Sequence, residues 1–127
     1  MDSQQMKALV VKYLDAYNAF DIDGMLALTH PSVEFKNVSN GTVDTAANGI
    51  DALRKLAKQS RTLFSTRKQT MTSFEGSGDQ AIITVTFSAV IAEDLPNGMK
   101  RGQKLNLTGR TEFTFRDEKI VQIIDVS

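Results

Sequence analysis

The segment AIITVTFSAVIA, residues 81–92, decides the fold that this sequence adopts. Nearly every residue in it is β-branched, aromatic or small, and neither glycine nor proline interrupts it, so it predicts a long central strand. Alternate residues from Ala81 through Phe87 to Ile91 form an apolar row, and the intervening residues form a row rich in hydroxyl groups. One face of the strand therefore meets a core, and the other face could meet a second sheet.

More strands are predicted on both sides of this segment. A strand over residues 67–75 precedes it and ends at a glycine-rich turn. After a reversal at residues 95–98, long strands are predicted over residues 104–116 and 119–127. Together with the central segment, these strands form an antiparallel meander.

The first half of the chain is predicted to be mainly helical. Apolar residues at steps of three and four predict a helix over residues 3–20. Asp21 is the predicted N-cap of a second helix, which ends at His30 and Pro31, and a third helix is predicted over residues 50–64. Because helices fill one half of the chain and strands the other, the predicted fold class is α+β, with the helices on one face of a curved sheet.

The segment between the second and third helices is predicted to be extended. Residues 33–38 alternate between apolar and polar and predict a short strand, whereas residues 39–48 suit either a loop or a small hairpin. His30, the only histidine, is expected to be a helix-end residue rather than a catalytic base.

The composition excludes several classes of function. The chain has 127 residues with 15 basic and 15 acidic side chains, so neither nucleic acid nor an anionic membrane is an expected partner. The absence of cysteine and the single histidine exclude a disulfide framework and a transition-metal site, and no metal or cofactor is expected. No signal peptide is recognisable and no apolar segment is long enough to span a bilayer, which predicts a single soluble, cytoplasmic domain over residues 1–127.

Two segments carry a resemblance to a known superfamily. They are YLDAYNAFDIDGMLALTHPSVEF, residues 13–35, and GRTEFTFRDEKIVQIIDVS, residues 109–127. With the predicted order of helices and strands, they resemble the nuclear transport factor 2-like superfamily, in its SnoaL-like and ketosteroid-isomerase-like branch. The resemblance implies a cystatin-like, cone-shaped half barrel with three N-terminal helices packed on a curved, mostly antiparallel sheet. It also implies an apolar pocket between sheet and helices, and usually a homodimer.

The resemblance also suggests which residues carry chemistry. The isomerase tyrosine that donates a hydrogen bond to the developing oxyanion falls on Tyr13. The isomerase general base falls on Phe35 and its second oxyanion donor on Thr111, so both carboxyl groups are absent and steroid isomerisation by that route is not expected. In the SnoaL-like cyclases an acidic residue on the last strand takes the acid/base role, and here that strand offers Asp125.

The proposed catalytic pair of Asp125 and Tyr13 depends on which way the last two strands face. If Phe113 and Phe115 point to the core, the analogous choice on the last strand turns Asp125 inward. Burial there would raise the pKa of Asp125 toward the range of a general base, unless a donor such as Tyr13 or Asn37 stabilises the anion. The alternative is that Asp125 lies at the wet mouth of the cone.

The same choice of faces predicts an exposed apolar row on the outer side of the sheet. Ile120, Ile124 and Val126 would point outward, where a monomer would leave them in water. We therefore expect a homodimer that forms through the outer face of the sheet.

Further residues are candidates for contact with a ligand. Tyr17 shares a helical stripe with Tyr13, although a tyrosine on such a stripe more often packs in a core. Asn37 shares a strand face with Phe35, and it either donates a hydrogen bond into the pocket or caps a turn. The predicted ligand-binding set is Tyr17, Phe35, Asn37, Phe87, Thr111 and Phe113.

Two functions are compatible with these patterns. The first is a homodimer that binds a hydrophobic or amphipathic small molecule and acts on it by acid/base chemistry, as an isomerase, cyclase or hydratase without a cofactor. The second is a non-catalytic binding or dimerisation module whose pocket is filled by its own side chains. Four inward rings, those of Phe35, Phe87, Phe113 and Phe115, would favour the second.

Overall fold

The helices and strands of the computed structural model, which describes residues 1–127, form one sheet with helices on one side. In chain order they are α1 (Ser3–Asn18), α2 (Ile22–Leu26), β1 (Thr29–Ser39), β2 (Thr42–Asn48), α3 (Ile50–Arg61), β3 (Phe64–Ser77), β4 (Gln80–Ile91), β5 (Lys104–Arg116) and β6 (Lys119–Val126). The strand order is β2-β1-β6-β5-β4-β3, and every neighbouring pair is antiparallel except β1 and β6. This curved, unclosed sheet with its helices confirms the predicted α+β half barrel.

The central strand predicted from the sequence is β4, which lies between β3 and β5. Its apolar row faces the helices, where Ile83 and Ile91 are almost fully buried and Phe87 is half-buried. The other row is exposed at Thr84 and Thr86. Because side chains alternate along a strand, the sequence pattern assigns the two faces of β4 correctly.

The core lies where α1 and α2 pack on the inward face of the sheet. Its buried residues are Met6, Val10, Tyr13, Leu14, Ile22, Met25, Leu26, Val33, Leu53, Ala81, Ile83, Val85, Phe113, Phe115, Ile120 and Ile123. Burial of one large apolar side chain contributes roughly 1.5–3 kcal/mol, so this cluster holds the helices on the sheet. We call the tightly packed part around Met6, Phe113, Phe115 and Ile120 the closed end of the cone.

Side-chain hydrogen bonds define the ends of the first two helices. Asp21 accepts a hydrogen bond from the backbone N–H of Gly24 at 2.9 Å, which confirms it as the N-cap of α2. Helix α1 ends at Asn18, because the Asn18 amide exchanges two hydrogen bonds with the backbone of Gln69 on β3, at 3.0 and 2.7 Å. Phe20 then reverses the chain with a left-handed φ of 57°. No helix is long and apolar enough to cross a membrane.

The second helix is shorter than the sequence predicts. It ends at Leu26 rather than at His30, because the carbonyl of Leu28 already accepts a hydrogen bond from the N–H of Ile120 at 2.9 Å, which draws the chain into the sheet. The helix-end assignment of His30 is therefore wrong. His30 lies in β1, and its Nε2 is 3.3 Å from a carboxylate oxygen of Asp117.

Pairing in the sheet also sets the bounds of the next elements. The hairpin alternative is the one found after β1, since Asn40 and Gly41 both have positive φ, as the tightest hairpin turns require. Helix α3 ends at Arg61 instead of residue 64, because Phe64 already pairs with Ile91 in the ladder between β3 and β4.

A bulge in β6 changes which of its residues face the core. Phe115 pairs with Ile120, and the next pairing residue of β6 is Gln122, so Val121 is an extra residue in the strand. Ile120 is consequently fully buried, and the prediction that it faces outward is wrong. After the bulge the alternation resumes, and Asp125 pairs with the inward residue Thr111.

Candidate active site in the open cone

A cavity of about 590 Å³ lies between α1, α3 and the inward face of the sheet. The residues proposed from the sequence all line it, namely Tyr13, Tyr17, Phe35, Asn37, Phe87, Thr111, Phe113 and Asp125. The volume and the mainly apolar lining are typical of sites for small organic molecules. We call the part of this cavity around Tyr17, Phe64, Arg67, Phe87 and Leu107 the open end of the cone.

The inward row of β5 explains why the cone is not filled. Phe115 and Phe113 stack in the core with their ring centroids 6.3 Å apart. The next inward positions are Thr111, whose side chain is small, and Gly109, which has no side chain, so neither fills the cone. Gly109 has no room for a side chain, because a Cβ atom there would lie 2.6 Å from the carbonyl oxygen of Val126. Inward phenylalanines therefore do not fill the cone as the second sequence-based hypothesis requires.

Asp125 forms part of the wall of the cavity. The Thr111 hydroxyl Oγ1 donates a hydrogen bond of 2.7 Å to the Asp125 carboxylate. Burial raises the pKa of Asp125 from 3.8 to about 6, and the hydrogen bond from Thr111 offsets only part of this increase. The donor is Thr111 and not Tyr13 or Asn37, the two donors considered from the sequence. The carboxyl group thus titrates near pH 6, within the range that suits a general base.

Tyr13 faces the same part of the cavity from α1. Its ring packs edge-on against Phe113, with 5.8 Å between the ring centroids. Burial, followed by the nearby charge of Asp125, raises the pKa of Tyr13 far above its usual value. The hydroxyl therefore stays protonated at neutral pH, where it can donate a hydrogen bond but cannot act as a base.

Aromatic rings form the walls at the open end. The Tyr17 and Phe87 ring centroids are 6.5 Å apart, and Phe64 lies edge-on to Phe87 at 5.6 Å. Phe35 is half-buried and lines the cavity from β1, where it pairs with Ile123 of β6. Edge-on and offset contacts of this kind are the arrangements that aromatic side chains prefer.

The Asn37 amide donates its hydrogen bonds within the hairpin of β1 and β2 rather than into the cavity. Its Nδ2 donates to the carboxylate of Asp44 on β2, at 2.9 and 3.2 Å, and lies 3.4 Å from the Ser39 hydroxyl. The hydrogen bonds from Asn37 and then Ser39 lower the pKa of Asp44. The Asn37 amide therefore ties the hairpin together, which is the structural alternative considered from the sequence.

Arg67 also lines the cavity, although the sequence patterns do not single it out. Its side chain lies on β3 and is only 5% exposed. The one available signal is alternation, because Arg67, Gln69 and Met71 fall on the same face of the predicted strand. A row that contains a cation and an amide ordinarily indicates a solvated face, so alternation alone could not identify Arg67 as an inward residue.

Comparisons with known proteins identify the family and the fold. A family model described as the SnoaL-like domain matches residues 10–123. No curated protein matches the sequence. A candidate SnoaL-like polyketide cyclase from Jannaschia sp. CCS1 superposes with a TM-score of 0.82 and 15% identity, over 97% of this chain and 85% of that chain.

Two other solved structures are similar over nearly the whole chain. TerC, co-crystallised with polyporic acid, has a TM-score of 0.77 and 18% identity, over 95% of this chain and 89% of its own. An NTF2-like protein of unknown function from Burkholderia pseudomallei has a TM-score of 0.77 and 18% identity, over 98% and 90% of the two chains. At these identities the structural likeness shows the fold alone. Because the family model covers most of the sequence, this chain belongs to the SnoaL-like family.

Proposed function

We propose that this protein binds a mainly apolar small molecule in the cone and catalyses proton transfer on it, with Asp125 as the base and Tyr13 as a hydrogen-bond donor. The observation that carries the proposal is a carboxyl group with a pKa of about 6 on the wall of a cavity of about 590 Å³. A carboxylate with this pKa is ionised at neutral pH and still basic enough to accept a proton from carbon.

The reaction class follows from the two groups. Asp125 removes a proton from a carbon next to a carbonyl group, so a C–H bond breaks, an O–H bond forms on Asp125, and the electron pair moves to the carbonyl oxygen. The Tyr13 hydroxyl stabilises the resulting oxyanion by a hydrogen bond. Return of the proton from Asp125 to another carbon of a conjugated enolate isomerises the molecule. Alternatively, the carbanion attacks a second carbonyl, which forms a C–C bond and closes a ring, and the resulting alkoxide takes the proton back from Asp125.

Two relatives support a substrate of this kind. One is named as a candidate polyketide cyclase and the other was crystallised with polyporic acid. Both descriptions concern those proteins, and they support a carbonyl-bearing, mainly apolar ligand for the cavity of this chain. The aromatic walls around Phe87 and Tyr17 fit such a ligand by shape and polarity.

Deuterium exchange into 2-tetralone, a small apolar ketone, tests the proposed proton transfer. In D₂O the protein should accelerate exchange of the acidic C–H next to the carbonyl, with a rate that rises as the pH increases through about 6. Asp125→Asn should lower the rate roughly 100-fold or more, since it removes the base. Tyr13→Phe should lower it by a factor of about 100, since it removes an oxyanion donor.

Asp15→Asn is the matched control, because Asp15 is an exposed carboxylate on the outer side of α1. It should leave the exchange rate unchanged. If the wild-type protein exchanges 2-tetralone no faster than buffer, or if Asp125→Asn exchanges as fast as wild type, catalysis through Asp125 is wrong.

We also propose that two copies associate through the outer face of the sheet. Ile124 and Val126 point to this face from β6, and Ile82 of β4 is 43% exposed there. The same face carries an ion pair of 3.2 Å between Arg110 Nε and the Glu112 carboxylate. A second copy would bring the same two charges to the interface, where they can pair with the first two. Burial of Ile120 reduces the apolar row predicted from the sequence but leaves these residues in place.

Light scattering coupled to size exclusion tests the association. The wild-type protein should have the mass of a dimer at micromolar concentration, and Ile124→Glu should have the mass of a monomer. Val11→Glu, which changes an equally apolar residue that is 40% exposed on α1, should remain a dimer. A monomeric wild-type protein would exclude this interface.

A further inference from the structure

Arg67 is a buried cation without a carboxylate partner. The side chain is 5% exposed, and its Nη2 is buried with no hydrogen-bond partner. Three titratable groups act electrostatically on the guanidinium group, namely Tyr17, Tyr13 and Arg61. None of them supplies a negative charge at neutral pH. A buried charge that is not compensated lowers the stability of a protein, so its presence calls for an explanation beyond packing.

Two aromatic rings and one carbonyl hold the Arg67 side chain in place. The guanidinium carbon lies 3.8 Å from the ring centroid of Tyr17 and 4.5 Å from that of Phe20. Its Nε donates a hydrogen bond of 3.1 Å to the carbonyl of Tyr17, in the last turn of α1. These contacts orient the guanidinium group and use one of its five N–H donors.

The fold keeps Arg67 and Asp125 on separate parts of the same cavity wall. Arg67 lies on β3 and Asp125 on β6, and the strands β4 and β5 lie between them in the sheet. Along the strands they are also offset, because Arg67 is aligned with Ala89 of β4, whereas Asp125 is aligned through Thr111 with Ile83. The cavity thus has a cation at its open end and a carboxylate nearer the closed end.

We propose that Arg67 binds an anionic oxygen of the ligand, so that the ligand is a mainly apolar molecule with a carboxylate or an ionised enol at the end remote from the reacting carbon. This inference rests on the proposed function of the cavity. A guanidinium group binds an anionic oxygen through charge-assisted N–H···O hydrogen bonds, and Nη2 of the cavity-lining Arg67 is a donor without a partner. The anion would supply the partner charge that no side chain in contact with Arg67 supplies.

Arg67 would then orient the ligand as well as bind it. With the anionic oxygen fixed at the open end, the apolar body extends past Phe87 and Tyr17 toward Asp125. The carbon that loses its proton therefore lies at the end of the ligand remote from the anionic group. Arg67 would be a binding residue, and Asp125 would remain the group that touches the reacting atoms.

Matched probes test the inference directly. We would measure the binding of 2-naphthoate and of its neutral amide, 2-naphthamide, to the full chain by isothermal titration calorimetry at pH 7.5. The wild-type protein should bind the carboxylate roughly tenfold or more tightly than the amide. Arg67→Gln should abolish this preference and leave the affinity for the amide unchanged, and Arg67→Lys should keep part of it.

Lys68→Gln is the matched control, because Lys68 is the exposed neighbour of Arg67 on the opposite face of β3. It removes the same charge and should preserve the preference for 2-naphthoate. Equal binding of both probes by the wild-type protein would overturn the inference about Arg67 and leave the proposed cavity function standing. Failure to bind either probe would count against the cavity function itself and, with it, against the inference.

Unfolding of the ligand-free variants separates binding from a purely structural role. If Arg67 serves the ligand, Arg67→Gln should be at least as stable to denaturant as the wild-type protein, because it removes an uncompensated buried charge. If Arg67 serves mainly to fasten α1 to β3, the variant should lose stability relative to Lys68→Gln. Lost stability together with an intact preference for 2-naphthoate would contradict our proposal.

Discussion

The closed and open ends of the cone are built from the same strands but differ in what their inward side chains do. At the closed end Phe113 is 1% exposed and Ile120 is fully buried, and apolar side chains occupy the space between helices and sheet. At the open end the inward positions include a guanidinium group at Arg67, and Leu107 is 51% exposed. Strand β5 contributes to both ends, because Leu107 lies at the open end and Phe113 at the closed end.

This difference shows how one sheet can serve both stability and a candidate site. Packing at the closed end holds α1 and α2 on the sheet. The open end can therefore carry polar groups even though their burial costs free energy. The cavity begins on β5 where Phe113 gives way to Thr111 and Gly109. Changes at the two ends should therefore have different consequences for stability and for chemistry.

The largest expected effect is on stability at the closed end. Phe113→Ala should lower the free energy of unfolding by roughly 3–5 kcal/mol, because it leaves a cavity in a packed core. Phe87→Ala should lower it by only about 1–2 kcal/mol, because Phe87 is half-buried and already borders empty space. Denaturant unfolding of both variants measures the contrast, and equal losses would show that the two ends are not packed differently.

A smaller effect is expected from the carboxyl group of the cavity. The pKa of Asp125 is raised to about 6 in the folded protein, above the usual 3.8, so folding favours its protonated form. Its contribution to stability is therefore fully present below pH 4 and is lost as the pH rises through about 6. Asp125→Asn does not titrate, and at pH 7.5 it should be more stable than wild type by about 3 kcal/mol.

Unfolding measured at pH 4 and at pH 7.5 checks this expectation. The stability advantage of Asp125→Asn should be close to zero at the lower pH and largest at the higher pH. Asp15→Asn, with its exposed carboxylate on α1, should show no such dependence. An advantage that grows as the pH falls would mean that Asp125 is stabilised as an anion, and the assignment of a base would then be wrong.

The smallest expected effect concerns the hydrogen bond to that carboxylate. Thr111→Val removes the donor at 2.7 Å, so the pKa of Asp125 should rise further and the stability should change by only about 1 kcal/mol. Carbon-13 NMR titration of the Asp125 carboxyl group measures the pKa. Thr114→Val, which removes a hydroxyl that contacts Gln122 on the same pair of strands, should leave that pKa where it is.

Much of this arrangement follows from alternation along the strands. The apolar row of β4 and the inward direction of Phe113 both follow from the period of two, and they lead to Asp125 and Thr111 at neighbouring inward positions. The inward stripe of α1 likewise brings Tyr13 to the same place. Local patterns suffice to assign residues to the inward or outward face wherever the strand is regular and its apolar row is continuous.

The remaining features depend on contacts between distant parts of the chain. Ile120 could not be assigned to the core because the bulge arises from pairing with β5, and nothing in residues 119–127 marks it. The early end of α2 depends on a hydrogen bond from Ile120 to Leu28, far apart in sequence. The inward position of Arg67 does not follow from the sequence, because its burial depends on the rings of Tyr17 in α1 and of Phe20 in the turn that follows.

The bulge at Val121 makes one position of β6 tolerant of deletion. On either side of Val121 the partners of β5 are consecutive, so the extra residue is the only one in the strand without a ladder position. A codon lost there would leave Ile120 in the core and Asp125 in the cavity. A codon lost after Gln122 would instead turn the Asp125 carboxylate to the outer surface, so the length of β6 after the bulge decides whether the cavity keeps its carboxyl group.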